Sequence, residues 1–233
     1  MLEFTFKGEK SSQYGVYLRD MPNIPSAEKD MDVIDVPGRS APLVMDRGGY
    51  KAQQIEIEAY VTDATKLNAA RGWLTGTGNM IFSGSSGVAY KVMIAGKVED
   101  EKDGRTVKSR TLEIPCTFFP FRYVYPAPAA QEIAASGGTI TNPGTVFSQP
   151  EIRLTGSGDI TLVVNGYSVE ARSLTDGAII DCELMETFNL AKTASLNSSF
   201  VMDEFPVLRP GANIITWTGS VTKVEITPRW RYL

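Results

Sequence analysis

Few residues in this chain could carry chemistry, and they are widely spaced. Asp181 and Glu183, in IIDCEL, stand two residues apart in a strand-like run, so both project from one side of that strand. A carboxylate pair is what glycoside hydrolysis needs, but the same spacing occurs on any exposed strand face. Histidine is absent, which removes the commonest general base, the usual partner of a serine or cysteine nucleophile, and the commonest zinc ligand. Cys116 and Cys182 are far apart and form no C-x-x-C pair, so no zinc site is recognisable and a disulfide is not favoured. Each lies in an apolar run, LEIPCTFF or AIIDCEL, where a thiol packs as a small hydrophobe. The glycine-rich GTGNMIFSGSSG at 76–87 lacks the Gly-Lys-Ser/Thr of a phosphate-binding loop and the glycine spacing of a nucleophile elbow. It reads as a turn between a helix and strands, and GSGD at 156–159 as a tight connection into the next strand. Asn197-Ser198-Ser199 matches a glycosylation acceptor too short to carry weight. No enzymatic role, metal or cofactor is expected.

The elements that would position these residues must fit within 233 residues, which favours two domains. Hydrophobic residues at 42% and charged residues at 21% describe a globular chain rather than a disordered one. Residues 1–130 carry 16 Lys+Arg and 16 Asp+Glu, whereas residues 131–233 carry 7 and 11. Neither part has the basic excess that binding phosphates requires, so nucleic-acid binding is not expected. No apolar run approaches the roughly 20 residues of a membrane span, and MLEFTFKGEK lacks the pattern of a secretory signal. Membrane insertion and export by that route are not expected.

Strand-like runs separated by turns fill the first part, at residues 2–7, 14–19, 32–36 and 51–61. In QQIEIEAYV, Ile55 and Ile57 alternate with Glu56 and Glu58, the period of a half-buried strand. One helix follows, with Asp63 as its cap, Leu67, Ala70 and Leu74 on one stripe, and Gly76 as its end. Beyond it, residues 88–100 and 105–119 face each other across KDG, a hairpin signal with Asp-Gly at its centre. The charged tip reads first as a solvated turn, although arms this long can reach a neighbour. YVYPAPAAQEIAASGG then reads as a linker, with a boundary near residue 130.

Short strands continue after the boundary: 151–154, then DITLVVNGYSVEA with Asn165-Gly166 suited to a type I′ turn, then AIIDCEL. FPVLRPGAN, with Pro206, Pro210 and Gly211, cannot be helical and leads into a closing hairpin of 213–218 and 221–227 reversing at Gly219-Ser220.

Taken in order, these motifs resemble the distal tail proteins of long, non-contractile-tailed bacteriophages over essentially the whole chain. The resemblance rests on FTFKG, Tyr14-Gly15-Val16, VPGR at 36–39, GGY at 48–50 and the single helix. It is more specific in NG at 165–166, IDCEL at 180–184, FPVLRPGAN at 205–213 and the ending TPRWRYL. After Pro-Gly-Arg the family often continues Asp-Gly-x-Leu, where this chain has Ser40-Ala41-Pro42-Leu43.

The resemblance implies a mainly β protein. Its domain 1–130 would be a tail-tube-like β-sandwich with one helix, forming a hexameric ring, and 131–233 a galectin-like or carbohydrate-binding-module-like antiparallel β-sandwich. It further implies a structural virion protein at the tail tip, assembled in the host cytoplasm. Its partners would be the tail tube protein, the tape measure protein, and a tail-associated lysin, fibre or receptor-binding protein. On this reading the FPVLRPGAN turn leads the last hairpin into the sandwich, and Trp230 and Tyr232 pack the final strand. Candidate subunit-interface residues are Pro37, Gly38 and Arg39 in one loop, and Lys102, Asp103 and Gly104 at the hairpin tip. An alternative is a carbohydrate-binding adsorption module recognising host cell-wall sugars, with Trp217 and Trp230 as stacking candidates, although tryptophan in a sandwich is more often core.

Overall fold

A computed structural model of the chain describes residues 1–85, 87–102 and 110–233. The chain divides into two compact units, Met1–Tyr125 with Leu233, and Pro126–Tyr232. Both are built of antiparallel strands.

In the first unit, alternation sends one residue in two inward. Strand Gln53–Val61 buries Ile57, Ala59 and Val61 and turns Gln54, Glu56 and Glu58 outward. It pairs with the fifteen-residue strand Arg110–Val124, which buries Leu112, Ile114, Cys116 and Phe118. The sheet runs in the order Glu9–Lys10, Phe4–Phe6, Gly76–Phe82, Val88–Ile94, Arg110–Val124, Gln53–Val61, Val16–Leu18, and its inward faces share one core.

Proline inside a central strand needs an explanation, because it removes a ladder donor. Pro115 sits where the ladder is interrupted: Val88–Ile94 pairs with residues from Thr117 onward, and Glu99–Lys102 pairs only as far as Glu113. Between them residues 95–98 leave the sheet, and Gly96 passes so near Pro115 that a side chain there would run into the proline ring. The expected hairpin therefore has a broken arm, and its Asp103-Gly104 turn lies outside the described residues.

The expected helix is present but shorter and anchored differently. Asp63 accepts from Thr65 N at 3.0 Å and caps a 3-10 turn, Ala64–Lys66, which runs into the α-helix Leu67–Trp73. Trp73 stacks on Tyr14 at 4.5 Å and Phe4 at 5.5 Å, and its Nε1–H donates to the Phe6 carbonyl at 3.2 Å. Gly76 does not end the helix. With φ 79 it opens strand Gly76–Phe82, so the glycine-rich stretch is largely strand rather than turn.

Strands Lys29–Ile34 and Leu43–Tyr50 pair only with each other. They form an arm whose base is tied to the body by Lys51 N to Glu28 O, 2.9 Å, and by Gln53 Nε2 to Ser26 O, 2.8 Å.

The second unit is organised by two long strands, Glu151–Val164 and Gly211–Thr227, paired along most of their length. The closing hairpin expected at Gly219-Ser220 does not exist, nor does the connection expected at GSGD. Both glycine sites are bends within continuous strands, marked by register shifts after Thr155 and Ser157. Gly219 has φ 95, and a side chain on it would collide with the Asp159 carbonyl; one on Gly156 would collide with that of Ser220. Glycine here permits two backbones to approach, and the bend lets each half of a strand take its own partners. Gly177–Asp181 pairs with the first half of Glu151–Val164 and Tyr167–Leu174 with the second. Gln131–Ile133 pairs near the end of Gly211–Thr227, and Gly138–Asn142 pairs near its beginning. Asn165 and Gly166, at φ 50 and 89, make the two-residue reversal expected of them.

Candidate assembly surface

The VPGR loop is the tip of the arm. Arg39 N donates to Val36 O at 3.1 Å, Pro37 supplies the fixed φ, and Gly38 takes φ 82, the signature of a type II turn. Pro37, Gly38 and Arg39 are exposed, and among the described residues no ion pair or hydrogen bond engages the Arg39 guanidinium. Lys102 ends strand Glu99–Lys102, its backbone opposite Arg110, while Asp103 and Gly104 lie outside the described residues. The structure thus brings three of the six candidate residues together at one tip.

Four of the arm's charges are matched across its two strands. Lys29 pairs with Asp46 at 2.5 Å and Arg47 with Asp32 at 2.7 Å, while Lys51 and Glu28 meet at its base at 2.9 Å. The hydrogen bond to Asp46 raises the Lys29 pKa, and the same bond, with Gly48 N–H, lowers that of Asp46. Beyond these pairs, and apart from Asp30, Asp35 and Arg39, the arm carries a large exposed apolar surface. Val33 is 65% exposed, Val44 54%, Met45 53%, and Met31, Ile34, Val36 and Leu43 are all exposed as well. The register sets Val33 opposite Val44 on one face and Ile34 opposite Leu43 on the other. An isolated two-stranded ribbon is marginal in water, so an apolar one needs a cover. Sequence reasoning singled out the turn and missed these flanks. The signal was available as a Met/Val/Ile/Leu run on either side of VPGR, without helical period.

A second feature lies on the outer face of the body. Glu56 and Glu58, Glu113, and Glu99 and Glu101 come from three adjacent strands, with Glu113 directly opposite both Glu58 and Glu99. Among the described residues two cations answer them, Arg19 to Glu58 at 3.1 Å and Lys97 to Glu99 at 3.2 Å. Repulsion, first from Glu56 and then with desolvation and the other glutamates, raises the Glu113 pKa. Beside this face, where residues 95–98 leave the sheet, a groove of about 610 Å³ is lined by Ile55, Glu56, Met93, Ala95, Gly96 and Pro115, among others.

The paired carboxylates do not form a catalytic pair. Glu183 lies in the turn after strand Gly177–Asp181 rather than on the strand. The Asp181 carboxylate is held by both nitrogens of Arg229, at 2.7 and 2.8 Å, and accepts from Glu183 N and Leu184 N. Burial opposes its charge, but Arg229 and these N–H groups prevail and hold it below the usual carboxylate range. A general acid would need the opposite shift. Trp230 is 5% exposed, and Trp217 is half-buried with its N and O both bonded to Ser136 Oγ. Both cysteines are free and buried. Among the described residues no group of three metal-ligating side chains occurs, and no helix is long and apolar enough to cross a membrane.

The sequence matches no family model and no curated protein. Among solved structures, the chain is similar to the SPP1 Dit (gp 19.1) protein, described as a paradigm of the hub adsorption apparatus in Gram-positive infecting phages. The likeness covers 100% of both chains with a TM-score of 0.75 at 11% identity. This chain has the Dit fold. It is a mainly β fold with a single α-helix among the described residues. The likeness spans both units, so the Dit fold accounts for the whole chain and not for one unit alone.

Proposed function

We propose that the chain is a structural subunit of a phage tail tip, closing into a hexameric ring that connects the tail tube to a baseplate, fibre or tail-associated lysin. The observation that carries this reading is the end-to-end likeness to a hub adsorption protein. It is supported by an arm whose apolar flanks are exposed among the described residues. In this proposal the first unit is tail-tube-like and builds the ring, and the second is galectin-like and faces outward. The partners are further copies, the tail tube and tape measure proteins, and a lysin, fibre or receptor-binding protein, met in the virion after assembly in the host cytoplasm. No catalytic step is assigned, because Asp181 is committed to Arg229. The carbohydrate-binding alternative finds no support in Trp217 or Trp230, which are half-buried and buried.

Electron micrographs of the purified full chain test the proposal. Six-fold rings are expected. A monodisperse monomer at all concentrations would overturn it, as would release of reducing sugar from host cell wall that is lost in Asp181→Asn.

A further inference from the structure

The arm and the groove are complementary and belong to the same unit, yet one chain cannot join its own. Gln54, Ile55 and Glu56 of the groove directly follow Gln53, which is bonded to Ser26 at the base of the arm. Six residues of strand, Lys29–Ile34, carry the tip about 20 Å away from that base. No arm residue lines the groove. We infer that the tip of the arm, residues 36–43, seats in the groove of a second copy of this chain, with Arg39 set among Glu56, Glu113 and Glu58. This rests on the proposed ring and names the contact that closes it.

Three observations support the assignment. The first is charge. Among the described residues Arg39 has no partner, and the outer face holds five glutamates against two cations; the raised pKa of Glu113 reflects their mutual repulsion. A guanidinium from another copy relieves that repulsion and satisfies itself. The second is apolar matching. Val36, Pro37, Ala41, Pro42 and Leu43 offer small and branched side chains without charge, and Ile55, Met93, Ala95 and Pro115 line the recess. Lys29, Asp46, Asp32 and Arg47 are already paired across the arm's strands, and Asp35, exposed beside the tip, stays outside the seated residues 36–43. The third is direction. Tip and groove are different patches, so copy after copy adds in one sense, the heterologous contact that generates a closed ring or a filament.

Two experiments on the full chain separate this contact from the ring itself. In the first, Arg39→Lys protein, half of it nitrogen-15 labelled, is treated with a carbodiimide, which joins amines to carboxylates in contact. An amide from the introduced amine to Glu56, Glu58 or Glu113, linking a labelled to an unlabelled peptide, is expected. In the second, Arg39→Glu and the pair Glu56→Lys, Glu113→Lys are made separately and together, with light scattering as the readout. Each change alone is expected to weaken association about tenfold or more, and the combined variant to recover most of it. If wild type forms rings, with no mixed-label amide and no effect of the reversals, the arm contact is wrong and the ring stands. If the mixed-label amide forms without rings, the contact stands and the ring is wrong. Absence of both rings and amide overturns both. Arg39 is exposed, so far-UV circular dichroism is expected to be unchanged in its variants.

Discussion

Arg229 holds a left-handed backbone, φ 51, which a non-glycine residue adopts only when its surroundings enforce it. The enforcement is visible: its guanidinium meets Asp181 at 2.7 Å, Glu151 at 3.2 Å and Glu183 at 3.5 Å, and Lys192 joins through Glu151 at 2.8 Å. The Asp181 side chain is 3% exposed, so removing its charge leaves Arg229 facing a neutral amide at half-buried depth. Asp181→Asn is expected to destabilise the second unit by about 3 kcal/mol, the lower end for breaking a buried pair, read as a fall in the urea midpoint. The pH dependence follows from the lowered folded-state pKa. Above the unfolded carboxylate value, near 4 for a model Asp, the contribution is complete; it is lost as pH falls through the still lower folded value. The gap between wild type and Asp181→Asn should therefore be widest near neutrality and close in acid. A second residue-scale expectation concerns the thiols. Burial pushes Cys116 up to about 12 and raises Cys182 as well, so neither is a thiolate at about pH 8. Native protein should resist a thiol reagent that titrates both cysteines after unfolding; rapid native reaction, or one disulfide by intact mass, would contradict this.

Elements show where sequence reading succeeds and where it stops. Period-two runs such as QQIEIEAYV, the Asn165-Gly166 reversal and the Asp63 cap are set by neighbours in sequence, and all three are present in the structure. The continuity of Gly211–Thr227 is not local. Gly219-Ser220 flanked by β-branched residues has the composition of a hairpin turn, and only the close approach of Gly156 to Ser220 and of Gly219 to Asp159 converts it into a bend shared by two strands. The FPVLRPGAN turn is fixed by local contacts together with a bond that reaches beyond it to Ile140. Asn213, fully buried, donates to the carbonyls of Ile140, Arg209 and Gly211 and accepts from Arg209 N, so the prolines supply rigidity and the asparagine supplies direction. The arm was half legible for a related reason: its turn is a four-residue signature, whereas its exposure depends on what the rest of the chain leaves uncovered. Gly219→Ala tests the bend. A side chain at φ 95 against the Asp159 carbonyl should cost at least about 1–2 kcal/mol, seen as a lowered urea midpoint at unchanged slope. Unchanged stability would mean that the strands do not approach as closely as described.

For the whole molecule, the division after Tyr125 separates two charge regimes. Residues 126–130 carry no charge, so the first unit keeps 16 cations against 16 anions, and the remainder has 7 against 11. Copies of a neutral unit repel little, while copies with a net deficit of four repel mildly at every approach. The apolar arm and the groove both lie in the neutral unit, and that unit has its own core of phenylalanines, valines and isoleucines around Trp73. In the proposed ring, seating residues 36–43 covers Val36 and Leu43, part of the exposed apolar surface that would otherwise invite aggregation. The proposed division of labour therefore has a direct consequence. Residues 1–125 expressed alone should assemble, with a mass that is a multiple of the fragment and falls as salt is raised, because the contact includes the Arg39 charge. Residues 126–233 expressed alone should scatter as a monomer over the same range. A monomeric first fragment whose circular dichroism shows folded β-structure, or an oligomeric second fragment, would assign the ring to the other unit.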